Sequence, residues 1–228
     1  MQKSMIKLLS IADVVTLTNA IFGFLAIIMV FRDEVRFSFS FILLALLADG
    51  LDGIVARKTR KSDLGEYLEA MADMTSLGIA PAVFVYATYN DIASCCVYYH
   101  GYLIAVLILF LSFSVIRLAS FHIMKDDGFF VGLPASASTS IILILAFLQV
   151  EFLYILLVIL FVSFALISNV HFPNRGIVIN IIATFLILLT LFIGEIYWNI
   201  APIALLLAIL VYAIVGPVYL WSKKTKFV

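Results

Sequence analysis

Charged residues are scarce in this chain of 228 residues: they make up 12% of it, whereas hydrophobic residues make up 65%. Soluble domains carry about a quarter charged residues, so the composition excludes an ordinary soluble protein. The formal net charge is zero, which excludes the basic bulk typical of nucleic-acid-binding proteins. Long polar stretches are also missing, so no soluble domain fits between the apolar segments.

Cysteine is nearly absent. The only two cysteines, Cys95 and Cys96, are adjacent. Neighbouring cysteines do not form an ordinary disulfide framework, and their spacing is not that of a zinc site. We therefore interpret both as residues at the membrane edge, without a redox or metal-binding role.

Long apolar segments fill most of the chain. A membrane-spanning helix needs about 20 mainly apolar residues, and this criterion predicts an all-α membrane bundle with eight transmembrane helices. We expect the first segment to be a retained span rather than a signal peptide, since no small-residue cleavage site follows it. The predicted limits are 14–31, 37–57, 64–89, 100–121, 135–150, 152–170, 176–194 and 199–221.

Lysine and arginine lie mainly on one side of the predicted bundle. Eleven of the 14 flank the side that the two termini share, and two flank the opposite side. Because loops rich in Lys and Arg stay in the cytoplasm, we predict cytoplasmic termini in an integral protein of the cell membrane. We expect residues 1–228 to form a single membrane domain, with a catalytic part at about 10–140 and additional spans at 150–221.

Acidic residues within the spans are concentrated on the second and third helices. Since each helical residue advances by about 100°, Asp49 and Asp52 share one face of the second helix. Glu69 and Asp73 are four residues apart and share one face of the third. The second helix descends to the cytoplasm and the third rises from it, so we expect the four carboxylates to face each other at one depth, near the cytoplasm.

Four carboxylates this close repel one another. Each costs about 2.5–3.5 kcal/mol at a helix centre in the membrane, so four could cost on the order of 10 kcal/mol. Arg57 and Arg117 cannot neutralise all four. Carboxylate-only ligation suits hard cations, which predicts one or two Mg²⁺ or Mn²⁺ ions at a site that also admits Ca²⁺. Gly50, Gly53 and Ala56 leave room beside this site for a pyrophosphate.

The segment from Asp49 to Asp73 resembles the signature of the CDP-alcohol phosphatidyltransferases, D-x-x-D-G-x-x-A-R followed by G-x-x-x-D-x-x-x-D. Two departures exist: seven residues separate Arg57 from Gly65 where eight are usual, and Glu69 stands where the signature has Asp. Glutamate keeps the charge and both oxygens, so we expect metal binding to survive with a slightly moved ion. The matching residues are Asp49, Asp52, Gly53, Ala56, Arg57, Gly65 and Asp73.

Other segments resemble the serine-using branch of this family. Residues 73–82 read similarly to its S-D-x-x-S-F-G-x-A-P-A, and Arg117 lies in a stretch similar to its R-L-A. Gly132-Leu133-Pro134 resembles its G-L-P-x-P loop, although Ser136 replaces the second proline. The resemblance, which includes the family's N-x-x-x-G on the first span, covers roughly the first 140 residues.

The resemblance implies transfer of a diacyl or archaetidyl phosphatidyl-type group from a CDP-lipid (CDP-diacylglycerol or CDP-archaeol) to the hydroxyl of L-serine, with release of CMP. It also implies a homodimer and makes Asp73 the catalytic base. The metal ligands are then Asp49, Asp52, Glu69 and Asp73; the CDP-lipid-binding residues are Asn19, Asp49, Gly53, Ala56, Arg57 and Gly65; and the serine-binding residues are Arg117, Ser76, Gly132, Pro134 and Lys125.

Two alternatives stay open. One is the same reaction with glycerol 3-phosphate or inositol phosphate as the acceptor. The other is an ion-coupled membrane transporter, because carboxylates in membranes often mark ion pathways. A transporter predicts acids near the bilayer midplane and symmetry-related broken helices, whereas here the acids cluster near one face and no repeat is visible.

Overall fold

Helices make up nearly all of the structure, a computed structural model that describes residues 9–58, 62, 64–120, 124, 129–173, 177–193 and 199–224. Within these residues, the side chains of 52–58, 177–178 and 221–224 are left out of the description. The helices are α1 Ile11–Phe31, α2 Val35–Lys58, α3 Gly65–Asp73, a π-helical segment Met74–Ile79, α4 Ala80–Ser94, α5 Val97–Ser120, α6 Ala135–Phe147, α7 Phe152–Leu166, α8 Ile177–Ile193 and α9 Ile200–Lys224.

The predicted helical architecture is confirmed, and the eight predicted spans coincide with helical segments that fit a membrane bundle. The third span is a continuous helix, Gly65–Ser94, made of α3, the π-helical segment and α4. Large apolar side chains cover the outside; Phe31, for example, is 81% exposed and Phe192 80% exposed. Such a surface suits contact with lipid rather than with water. Four described helices are long and apolar enough to cross a membrane: Ile11–Phe31, Gly65–Ser94, Val97–Ser120 and Ile200–Leu220.

One compact unit covers Met1–Phe84. Its central helix is α1, which packs along α2 and also contacts α3 and the π-helical segment. A capping box begins α1: the Ser10 side chain accepts from the Asp13 backbone N–H at 3.3 Å, and the Asp13 carboxylate accepts from the Ser10 N–H at 2.6 Å. Phe22 of α1 stacks on Phe41 of α2, with ring centroids 6.2 Å apart. Helix α1 therefore packs against both α2 and α3, the helices that carry the predicted metal-binding carboxylates.

The second compact unit covers Val85–Val228. Here α5 packs on α7, α6 packs on α7 and α9, and α8 packs on α9. The tight hairpin predicted around Glu151 joins α6 to α7, with Gln149 in the left-handed region at φ 51°. Tyr89 fixes this turn from within the unit by donating its hydroxyl to the Val150 carbonyl. Leu143 and Ile159 are fully buried between the helices.

A small antiparallel sheet, absent from the all-α prediction, lies in the second unit. Strand β1, Phe129–Val131, pairs with β2, His171–Pro173, and Phe130 lies opposite Phe172. Gly132 follows β1 with φ 78°, and a Cβ at this position would lie 2.3 Å from the Leu166 carbonyl oxygen. Only glycine fits this turn. The strands are three residues long, too short to show a two-residue alternation in the sequence.

Candidate active site

A buried hydrogen bond joins Asn19 of α1 to Asp73 at the end of α3. The Asn19 Nδ2 donates to Asp73 Oδ1 at 2.8 Å. Asn19 is 0% exposed and Asp73 is 7% exposed. The Asn19 Oδ1 is also buried, and it has no hydrogen-bond partner among the described residues. The structure thus brings together the predicted catalytic base and a predicted CDP-lipid-binding residue, and leaves an oxygen acceptor beside them.

The π-helical segment begins directly after Asp73 and packs against α1. π-Helical turns occur frequently at functional sites. Here the turn lets the backbone of Ser76 approach Gly23 so closely that a Cβ on Gly23 would lie 2.6 Å from Ser76 Cα. Since Asn19 is one turn before Gly23, this contact fixes the distance between Asn19 and Asp73. The fully buried Ser76, a predicted serine-binding residue, donates its hydroxyl to the Ala72 carbonyl at 3.0 Å.

The remaining predicted metal ligands lie on α2 and α3. Asp49 and Glu69 are both partly buried, and α2 contacts the π-helical segment that follows Asp73. Among the side chains that the structure describes, no three His, Cys, Asp or Glu residues form a metal-binding group. The Asp52 side chain lies outside that description, so the cluster of four carboxylates stays a prediction. The side chains of Ala56 and Arg57, the surroundings of Gly53 and the whole of Lys125 likewise lie outside what the structure describes.

The donors that are described suit a hard divalent cation. Asp73 supplies a buried carboxylate, and the Asn19 Oδ1 is a buried oxygen acceptor without a donor among the described residues. Carboxylate and amide oxygens are the ligands that Mg²⁺, Mn²⁺ and Ca²⁺ prefer. A Cβ built on Gly50, next to Asp49, meets nothing within 4 Å. The described donors therefore fit a hard divalent cation, and Gly50 leaves open space next to Asp49.

Asp13 is a buried acid that our sequence analysis missed. It is 3% exposed, and its Oδ1 lies 3.4 Å from the position of a Cβ on Gly65. Its Oδ2 belongs to the capping box of α1, while its Oδ1 lies next to Gly65 at the beginning of α3, where a CDP-lipid contact is predicted. The spacing Ser10-x-x-Asp13 resembles the capping-box pattern, and this signal was available in the sequence.

A second group of predicted site residues meets in the unit Val85–Val228. The buried Arg117 of α5 donates from Nε to the Leu133 carbonyl at 3.4 Å. Leu133 lies between Gly132 and Pro134, and the Pro134 carbonyl accepts from the backbone N–H groups of Ala137 and Ser138 in the first turn of α6. The structure therefore brings the predicted serine-binding residues Arg117, Gly132 and Pro134 together.

The sequence of this chain matches a known protein family. The family profile described as CDP-alcohol phosphatidyltransferase matches residues 9–169. The chain belongs to the CDP-alcohol phosphatidyltransferase family. It is therefore an enzyme that transfers a phosphatidyl-type group, and membership decides against the transporter hypothesis.

Several relatives of this CDP-alcohol phosphatidyltransferase carry names that specify serine. The CDP-diacylglycerol–serine O-phosphatidyltransferase of Methanocaldococcus jannaschii is 34% identical over 171 residues, which cover 74% of this chain and 76% of the relative. The archaetidylserine synthase of Methanothermobacter thermautotrophicus is 28% identical over 179 residues, covering 75% and 73%. The CDP-diacylglycerol–serine O-phosphatidyltransferase of Saccharomyces cerevisiae is 31% identical over 166 residues, covering 63% and 56%.

Proposed function

We propose that this enzyme transfers a diacyl or archaetidyl phosphatidyl-type group from a CDP-lipid to the hydroxyl of L-serine and releases CMP. The names of the relatives support serine as the acceptor. The observation that carries the proposal is the buried hydrogen bond from Asn19 to Asp73, which fixes a carboxylate in the segment that resembles the signature of this family.

The family generally depends on divalent metal ions. In this chain Asp49, Asp52, Glu69 and Asp73 would hold one or two Mg²⁺ or Mn²⁺ ions, and the same ligands admit Ca²⁺. Such an ion, when bound, supplies positive charge to the pyrophosphate of the CDP-lipid and stabilises the leaving CMP. Asn19, Asp49, Gly53, Ala56, Arg57 and Gly65 bind the CDP moiety.

Asp73 acts as the general base. It takes the proton of the serine hydroxyl while the serine oxygen forms a bond to the lipid-side phosphorus. The bond from that phosphorus to the bridging oxygen breaks, and CMP leaves with the bonding electron pair. By donating to one oxygen of Asp73, Asn19 orients the carboxylate for this transfer.

Arg117 binds the carboxylate of the incoming serine. The planar guanidinium matches a carboxylate with two parallel hydrogen bonds. Its Nε donates to the Leu133 carbonyl, and this hydrogen bond to the loop orients the guanidinium. Ser76, Gly132, Pro134 and Lys125 complete the proposed serine-binding set.

The proposal includes the topology of the enzyme. Eight spans with both termini in the cytoplasm place the active site on the cytoplasmic face of the cell membrane, where serine and CMP are soluble. The chain acts as a single membrane domain in a homodimer. Cysteine labelling of the two termini from either side of sealed vesicles tests the orientation, and light scattering in detergent tests the dimer.

The test is a CMP-release assay on the purified full-length enzyme with CDP-diacylglycerol and CDP-archaeol. Each is combined with L-serine, glycerol 3-phosphate or inositol phosphate, and the lipid product is identified by mass spectrometry. We expect a serine-containing lipid, and we expect chelation to abolish its formation and added Mg²⁺ or Mn²⁺ to restore it. Incorporation of glycerol 3-phosphate without serine would refute the proposed acceptor.

A further inference from the structure

Helices α8 and α9 lie outside the family match, which ends at residue 169. Even so, α9 touches the loop that carries the predicted serine-binding residues, through strand β2. The hydroxyl of Tyr212 in α9 donates to the Pro173 carbonyl at 2.9 Å. Its ring lies on Phe172, with centroids 6.3 Å apart.

The contact continues from β2 to the Gly132 turn. The backbone N–H of Gly132 donates to the Val170 carbonyl at 2.8 Å, and that of Leu133 donates to the Ala165 carbonyl at 2.9 Å. The Leu133 carbonyl in turn accepts a hydrogen bond from the Nε of Arg117. An unbroken chain of contacts therefore runs from Tyr212 through the paired strands to the guanidinium.

Arg117, at one end of this chain of contacts, lies in the last turn of helix α5. Arginine within a membrane span is rare and costly, and it is usually found facing polar partners or a ligand. Arg117 is 6% exposed, so the groups around it determine where its fork points.

We propose that Tyr212 is a positioning residue for Arg117, and that α9 thereby helps to select acceptors that carry a carboxylate. The inference rests on the proposed binding of serine by Arg117. It assigns a role in acceptor selection to a span that the family match does not cover.

Tyr212→Phe tests this role because it keeps the ring on Phe172 and removes only the hydroxyl. Losing one hydrogen bond of this chain of contacts predicts a rise of about five- to tenfold in the serine KM. The KM for the CDP-lipid should stay at the wild-type value. Tyr154→Phe is the matched control, since Tyr154 of α7 is 60% exposed, and it should change neither constant. Because KM does not depend on the amount of folded enzyme, a lower yield of the variant does not affect the comparison.

A second readout uses an acceptor that lacks the carboxylate. At high concentration, ethanolamine tests hydroxyl transfer without the group that Arg117 binds. Tyr212→Phe should lower the serine rate at low serine concentration and leave any ethanolamine rate unchanged. An equal loss with both acceptors would overturn the positioning role, because it would show a general structural effect.

Arg117→Leu separates this inference from the proposed function. If it raises the serine KM while Tyr212→Phe does not, the inference fails and the proposed clamp stands. If it leaves the serine KM unchanged, the clamp itself is wrong. In the double variant, Tyr212→Phe should add no further rise to that of Arg117→Leu, whereas independent, multiplicative rises would overturn the inference.

Discussion

Gly23 sets the separation between Asn19 and Asp73, and Gly23→Ala tests this arrangement. The added Cβ would lie 2.6 Å from Ser76 Cα and 2.9 Å from its backbone nitrogen. Ordinary carbon contacts need about 3.5–4.0 Å, so α1 must move away from the π-helical segment by about 1 Å. Overpacking of this kind costs about 1–3 kcal/mol.

The same movement stretches the 2.8 Å hydrogen bond between Asn19 and Asp73. A misplacement of about 1 Å in a catalytic arrangement can lower the rate about 100-fold. We therefore expect Gly23→Ala to reduce kcat for CMP release by about 10- to 100-fold and to lower the melting temperature in detergent.

Gly101→Ala is the matched control for this change. A Cβ at Gly101 in α5 meets nothing within 4 Å, and replacing glycine by alanine in an open helix stabilises it by about 1 kcal/mol. The control should thus keep full activity and melt no lower than the wild type. A Gly23→Ala enzyme that behaves like the control would refute the close approach of α1 to the π-helical segment.

Three further predictions concern single side chains. Asp73→Asn should lower kcat in the CMP-release assay by about 100-fold or more, since general bases contribute about 10²–10⁴-fold, and a wild-type rate would exclude Asp73 as the base. Ser10→Ala removes the cap of α1 and should lower the free energy of unfolding by about 1 kcal/mol, whereas Ser112→Ala, at an exposed hydroxyl that donates within its own helix, should leave it nearly unchanged. Gly132→Ala forces a Cβ against the Leu166 carbonyl at φ 78°, so we expect the melting temperature to fall and the serine KM to rise; unchanged values for both would contradict the turn geometry.

The helices and the acid signature were predictable because composition and spacing determine them locally. Long apolar segments in a membrane form helices, because every backbone polar group there must be hydrogen-bonded within the protein. The spacing of Asp49, Gly65 and Asp73 is visible in the sequence itself. The capping acid Asp13 was equally visible in the pattern Ser10-x-x-Asp13, but it lies before the predicted first span and was overlooked.

The π-helical segment and the small sheet could not be predicted, because tertiary packing determines them. Nothing in residues 74–79 alone shows a widened turn; the close contact of Ser76 with Gly23 becomes visible only when α1 is in place. Paired residues of strands β1 and β2 are at least 40 positions apart along the chain, and helices α6 and α7 lie between the two strands in the sequence. The contact between Arg117 and Leu133, which are 16 residues apart, likewise depends on how α5 packs in the folded protein.

Binding of Mn²⁺, followed by electron paramagnetic resonance on the purified enzyme in detergent, tests the proposed carboxylate site most directly. The wild type should bind one or two ions, and Asp49→Asn, Asp52→Asn, Glu69→Gln and Asp73→Asn should each weaken binding at least tenfold. Glu151→Gln, at an exposed acid before α7, should bind as the wild type does. Wild-type affinity in both Asp52→Asn and Asp73→Asn would contradict a cation held jointly by the two helices.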